Sequence, residues 1–268
     1  MPNDEDEKER LDIMHEMFLT MMDRKLFLAP LGDLTGPVLD LGTGSGIWAI
    51  EFADKFPLAQ ITGNDLSPIQ PRYVPPNLQF VVDDYEDEWA YGSRKFNFIH
   101  GRYLAFSVNN FPKLIEQCYN NLSPGGWIEF QDWDGNLYSQ DGSIEGTSMK
   151  QYFDAIIPAM HKTGKDPSPG PKYEGWLRAG GFRDVQVRKF VIPAGPWPKD
   201  KCLKTLGAWN LLQSETGYEA TAMALLTRQE GWSKEEVGVL VAKAKEDSKN
   251  RNIHGLLDFY VVYGRKPN

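Results

Sequence analysis

The spacing of apolar residues along the 268-residue chain changes twice, and each change predicts a different kind of element. Leu11, Met14, Phe18, Met21 and Met22 recur at helical spacing, which predicts an amphipathic helix from Asn3 to about Lys25. Asn3 or Asp4 is the expected cap, and Glu5, Asp6 and Glu7 suit the positive end of the helix dipole. Arg24 and Lys25 suit the other end, and Pro30 bars continuation. From Pro37 onward short apolar runs alternate with helical segments. Strands are expected at Val38–Leu41, Gln60–Asp65, Leu78–Val82, Phe96–His100 and Trp127–Asp132. Helices are expected at Ile47–Phe56 and Asn110–Leu122, the second closed by Ser123-Pro124-Gly125-Gly126.

After Asp132 the rhythm loosens. Ser143–Lys162 and Tyr173–Ala179 read as helices, and Val185–Ile192 as a strand. Two or three helices follow between Lys199 and about Lys249. The last opens with the capping box Ser233…Glu236 and carries Val237, Leu240, Val241 and Ala244 on one face. The apolar run Leu256–Gly264 predicts a final strand. Strand–helix alternation with short connections implies an α/β fold with a parallel sheet and right-handed crossovers. We read residues 1–268 as one domain, with an N-terminal helix or lid at 1–30, a ligand-binding core at 37–135, and a half carrying a helical insertion at 136–268.

Composition adds mainly exclusions. Apolar content of 41% and charged content of 25% are those of an ordinary globule. A net charge of −8 with no dense Lys/Arg block argues against a nucleic-acid partner. Two distant cysteines, Cys118 and Cys202, fit a reducing compartment rather than a disulfide framework. The acidic start is unlike a signal peptide, and no apolar run approaches membrane-spanning length, so a soluble cytoplasmic protein is expected. The four histidines, His15, His100, His161 and His254, are not at metal-ligand spacing, and no metal is expected.

The stretch Val38–Phe52, VLDLGTGSGIWAIEF, carries the candidate chemistry. A glycine-rich turn between strand and helix brings a ligand close to the backbone. A dinucleotide fingerprint starting at Gly42 would need its third glycine where Ile47 stands, and a phosphate-binding loop would need Lys after Gly46. Both fail. Asp40, at the carboxyl end of the first strand, would repel phosphates but attract an ammonium group. S-adenosylmethionine (SAM) is such a ligand, a phosphate-free nucleoside with a sulfonium and an amino-acid tail. Gly42, Thr43, Gly44 and Gly46 would line its path. Asp65 ends the second strand nineteen residues after Gly46, where an acid accepts ribose hydroxyls, with Leu66 beside it. Asp83 and Asp84 follow the third strand, and Asp84 with the backbone of Tyr85 is the expected partner of the adenine amino group.

At these residues the sequence resembles the class I SAM-dependent methyltransferases, and within them the fungal LaeA-like branch of secondary metabolism. The likeness is carried by RLDIMHEMFL (Arg10–Leu19), KLFLAPLG (Lys25–Gly32), VLDLGTGSGIWAIEFADKFP, GNDLSPIQPRYVPPNLQFVVDD, FNFIHGRYL, LSPGGWIEFQD, GPWPKD and YVVYGRKP. It implies a Rossmann-like seven-stranded sheet whose last strand is antiparallel, with SAM over the first strands and S-adenosylhomocysteine as product. It also implies that the natural chain extends upstream of Met1.

Methyl transfer from a sulfonium needs alignment, exclusion of water and, for some acceptors, a base. The acceptor side is expected after the fourth and fifth strands. There His100 is a candidate base, Arg102 a candidate holder of an acidic acceptor or of the methionine carboxylate, and Tyr103 and Trp133 candidate faces for a sulfonium or planar substrate. His15 is expected to pack, and Trp176, Trp197, Trp209 and Tyr218 are expected to roof the acceptor pocket. The leading expectation is methyl transfer to an oxygen, carboxylate or hydroxyl, of a small-molecule or secondary-metabolite acceptor, with nitrogen or sulfur as lesser alternatives. The alternative is a LaeA-like regulator acting through nuclear protein partners.

Overall fold

A computed structural model describes residues 5–268. The expected caps Asn3 and Asp4 therefore lie outside the described residues. Helix α1 (Glu5–Met21) is followed by β1 (Pro37–Leu41), α2 (Ile47–Lys55), β2 (Gln60–Asp65), β3 (Leu78–Val82) and β4 (Phe96–Arg102). Then come α3 (Phe111–Asn121), β5 (Leu122–Tyr138), α4 (Ser148–Lys162), α5 (Tyr173–Ala179) and β6 (Arg183–Pro193). The long α6 (Lys201–Gln229), α7 (Lys234–Lys249) and β7 (Leu256–Arg265) close the chain. The sheet has seven strands in the order β3-β2-β1-β4-β5-β7-β6. β1 pairs in parallel with β2 and β4, β2 with β3, and β4 with β5. Lys266, next to the end of β7, exchanges main-chain hydrogen bonds with Gly125 and Gly126 near the start of β5, so β7 runs against its neighbour. This is the class I Rossmann-like topology that the resemblance implied.

The chain forms two compact units. One comprises Lys25–Asp132, Pro169–Lys189 and Tyr260–Asn268, and the other the residues up to Arg24, Trp133–Ser168 and Phe190–Phe259. In the first, the central strand β1 is buried along almost its whole length, as a parallel strand covered on both faces must be. Leu39, Leu41, Ile99, Ile128 and Phe130 pack there with Phe111, Ile115 and Tyr173. In the second, Tyr152 and Ile156 of α4, Tyr218 and Ala222 of α6, and Val237, Leu240, Val241 and Ala244 of α7 form a separate apolar cluster. The α7 face and its capping box match the sequence pattern.

Several boundaries differ from expectation. α1 stops at Met21, and Asp23 and Arg24 take positive φ values of 56° and 61°, so Arg24 cannot serve the last turn and instead reaches back to Glu16. Glu7 is not a solvated dipole partner: it is buried and grips Arg10 in a two-pronged ion pair at 2.7 and 2.8 Å. Buried charge of this kind is tolerated only when paired. α4 begins at Ser148 rather than Ser143, because Thr147 supplies the cap through Lys150 N–H. β5 starts at Leu122, so Ser123–Gly126 lies in the strand, and it runs six residues past Asp132.

Candidate functional site

The turn after β1 reaches its shape through three left-handed glycines, Gly42, Gly44 and Gly46, with φ of 62°, 58° and 83°. Two of them are held there by the protein's own packing. A Cβ on Gly46 would stand 2.4 Å from Phe80 Cζ, and one on Gly42 would stand 2.8 Å from Leu104 Cδ2. Gly44 is gripped instead from both sides. Its N–H donates to Asp65 Oδ2 at 2.8 Å, and its carbonyl accepts from Gln70 Nε2 at 2.7 Å. Gly46, at the N-cap of α2, makes no side-chain cap bond.

The acids expected to surround the ligand stand at successive strand ends, with distinct surroundings. Asp40 is buried, and both its oxygens are engaged: Oδ2 accepts from Thr43 Oγ1 at 2.6 Å and Oδ1 meets His100 Nδ1 at 2.7 Å. Asp65 is half-buried. Its carboxylate accepts from Gly44 N–H and, at 2.9 Å, from Ser67 N–H. Burial raises its pKa against the lowering effect of those two bonds. Leu66, the next residue, is 62% exposed. Asp83 and Asp84 are half-buried, and Asp84 Oδ1 accepts from Glu86 N–H at 2.8 Å. Tyr85 is buried, and burial raises its hydroxyl pKa. Its carbonyl is already used by Trp89 Nε1 at 2.8 Å, which the sequence did not reveal.

On the other side of β1, His100 is fully buried in the sheet. Its ring stacks on Trp48 of α2 at 3.7 Å with planes 3° apart. Burial lowers its pKa, with the Asp40 partnership opposing. The expected base is thus fully buried, with Trp48 covering one face of its ring. Arg102, at the end of β4, has its pKa lowered to about 10 by burial, while Asp40 and Glu51 favour its charge. It remains a cation at neutral pH. Tyr103 follows with φ of 59°, a left-handed conformation strained for an aromatic residue. It is held by a hydrogen bond from its N–H to Gln131 carbonyl at 2.9 Å. Asp132 fixes the next residue, accepting from Leu104 N–H at 2.8 Å and from Tyr173 hydroxyl at 3.1 Å.

The remaining aromatic candidates pack against rings of their own units. Trp133 is buried between Phe18 and Phe259, with centroids 6.1 and 5.0 Å away. Trp176 stacks on Phe111 at 5.1 Å in one unit. In the other, Tyr218 stacks on Tyr152 at 4.5 Å and Trp197 lies 4.5 Å from the ring of His254. His15 is fully buried in α1, as packing required. Among the described residues no three His, Cys, Asp or Glu side chains converge to hold a metal ion, and no helix is long and apolar enough to cross a membrane.

A seven-stranded sheet of this order, with a three-glycine turn after β1 and an acid closing β2, defines a class of enzyme, and residues 13–187 match the family described as methyltransferase domain. The chain belongs to the class I SAM-dependent methyltransferases. Methyltransferase pytC of Aspergillus terreus is 42% identical over 99% of this chain and 82% of its own length. The secondary metabolism regulator LAE1 of Cochliobolus heterostrophus is 34% identical over 99% of this chain and 89% of its own. Among solved structures, phosphoethanolamine N-methyltransferase 2 of Haemonchus contortus, in complex with SAM, superposes with a TM-score of 0.54 at 17% identity. That match covers 97% of this chain but only 52% of the other, about half its length.

Proposed function

We propose that the Gly42–Gly46 turn holds SAM and that the enzyme passes its methyl group to an oxygen, carboxylate or hydroxyl, of a small-molecule acceptor, releasing S-adenosylhomocysteine. The single observation that carries this reading is the double grip on the Gly44 peptide by Asp65 and Gln70, which presents a rigid left-handed turn beside an acid at the ribose position. When bound, the cofactor supplies a methyl carbon already activated by a sulfonium. The chain's own residues bind and orient. Asp65 accepts the ribose hydroxyls, and exposed Leu66 offers the base an apolar face, with Asp83, Asp84 and Tyr85 along its polar edge. Arg102 holds the methionyl carboxylate or an acidic acceptor. Strained Tyr103 sets the acceptor's approach.

His100 is buried with its Nδ1 against Asp40, and Trp133 is buried among aromatic rings, an arrangement that favours transfer without a histidine base. Carboxylate acceptors need none. Incubation with radiolabelled SAM and a panel of small acids and phenols tests the reading. Label is expected in at least one acceptor. No transfer to any, from protein that binds SAM tightly, would overturn it. The likeness to the regulator LAE1 favours a second reading, in which the enzyme acts through nuclear protein partners. Stable co-purification with such a partner, together with an inactive small-molecule panel, would favour that second reading.

A further inference from the structure

Beneath the candidate cofactor turn lies a chain of buried polar side chains that neither the fold nor methyl transfer accounts for. Thr43 Oγ1 donates to Asp40, and Asp40 meets His100 Nδ1 at 2.7 Å. Because an ionised carboxylate only accepts, Nδ1 carries the proton, and the imidazole is fixed as the donor. On the neighbouring strand β5, Glu129 stands opposite His100 in the parallel register and Gln131 opposite Arg102. Gln131 Nε2 in turn donates to Glu129 Oε1 at 2.7 Å and to Leu26 carbonyl at 3.1 Å. Glu129 Oε2 accepts from Leu28 and Ala29 N–H at 2.8 and 2.7 Å. Trp48, which stacks on His100, also donates from Nε1 to Leu26 carbonyl at 2.9 Å.

His100, Glu129 and Gln131 are 0% exposed and Asp40 3%, so burying this thread carries a desolvation cost that packing alone would not select. His100 Nε2 and Gln131 Oε1 complete no hydrogen bond, so the ring is held from one nitrogen only, and that nitrogen points at Asp40.

We propose that His100 is a positioning residue. Its Nδ1–H fixes the Asp40 carboxylate, which through Thr43 sets the conformation of the cofactor turn, while Trp48, stacked on the ring, joins His100 to the Leu26 carbonyl that Gln131 also meets. This rests on reading the turn as the SAM site. Asp40 is then occupied by protein donors rather than by the ligand's ammonium group, and the turn's affinity for SAM depends on a histidine that never touches it.

The test uses the full chain and calorimetric titration with SAM, with folding followed by thermal unfolding. His100→Phe keeps a flat ring against Trp48 but loses the donor. His100→Asn keeps a donor near the Nδ1 position. The Phe variant is expected to bind SAM at least ten-fold more weakly and the Asn variant to recover most of that loss. Thr43→Val, which cuts the thread at the turn itself, is expected to match the Phe variant and serves as the test if that variant does not fold. Two results overturn the proposal: wild-type affinity in Thr43→Val or His100→Phe, or an Asn variant as weak as the Phe variant. Asp65→Ala separates this from the underlying reading. If wild type binds no SAM, or Asp65→Ala binds as wild type does, the cofactor site itself has been misassigned.

Discussion

Asp65 accepts from Gly44 and Ser67 N–H, and in the proposed complex it also meets the ribose. Asp65→Ala therefore removes a charge-assisted acceptor and also frees the Gly44 peptide. SAM affinity is expected to fall about 10–100-fold, from hydrogen bonds worth ~1.5–3 kcal/mol, and calorimetry reads it directly. Glu129 makes a pH-dependent contribution. Burial pushes its pKa up to about 7 although three N–H donors oppose the shift. A carboxyl whose folded pKa exceeds its unfolded value binds more protons when folded. Its contribution is thus fully present below pH about 4.5 and lost as pH rises through about 7. Thermal unfolding between pH 4.5 and 8 is expected to show stability declining by about 1–3 kcal/mol, a slope that Glu129→Leu flattens. Asp40, Gly44 and Asp65, the residues proposed for the site, are picked out in the sequence by motif spacing. Gln70, Trp48 and Gln131 are not, since each reaches the turn or its support only through tertiary pairing. Nothing in the local sequence marks them.

At the scale of elements, stability and binding separate. Ser233 caps α7 by accepting from Glu236 N–H at 3.1 Å, in the unit that does not contain the turn. Ser233→Ala is expected to cost about 1 kcal/mol in unfolding experiments and to leave SAM affinity unchanged. Gly46→Ala belongs to the opposite class, for a methyl there meets the Phe80 ring at 2.4 Å in a left-handed backbone. It is expected to lower the melting temperature by several degrees, because Phe80 must shift or the turn must deform. Strands β1 to β4 followed from short segments carrying apolar residues and bounded by turn-forming ones. The ends did not, for reasons visible in particular residues. Asp23 and Arg24 adopt a left-handed turn that no helix propensity anticipates. β5 continues through Trp133-Asp134-Gly135-Asn136, residues that read as turn formers yet remain extended in the sheet.

For the molecule as a whole, the parallel order β3-β2-β1-β4-β5 puts the carboxyl ends of β1, β2 and β4 on one side, the place where open α/β sheets bind ligands. That is why Gly42, Asp65 and Arg102 come together from distant parts of the chain. The reversed strand β7 lay beyond what periodicity shows and was available only from family likeness. The net charge of −8 bears on partners rather than fold, and weak salt dependence of any methyl transfer is expected, since no counterions are released as they would be from nucleic acid.

The turn after the first strand is best probed in the complex with S-adenosylhomocysteine. A crystal structure of that complex is expected to show the nucleoside lying along Gly42–Gly46, its ribose hydroxyls on Asp65 and its base against Leu66. Well-ordered ligand density at any other place on the protein would contradict the account.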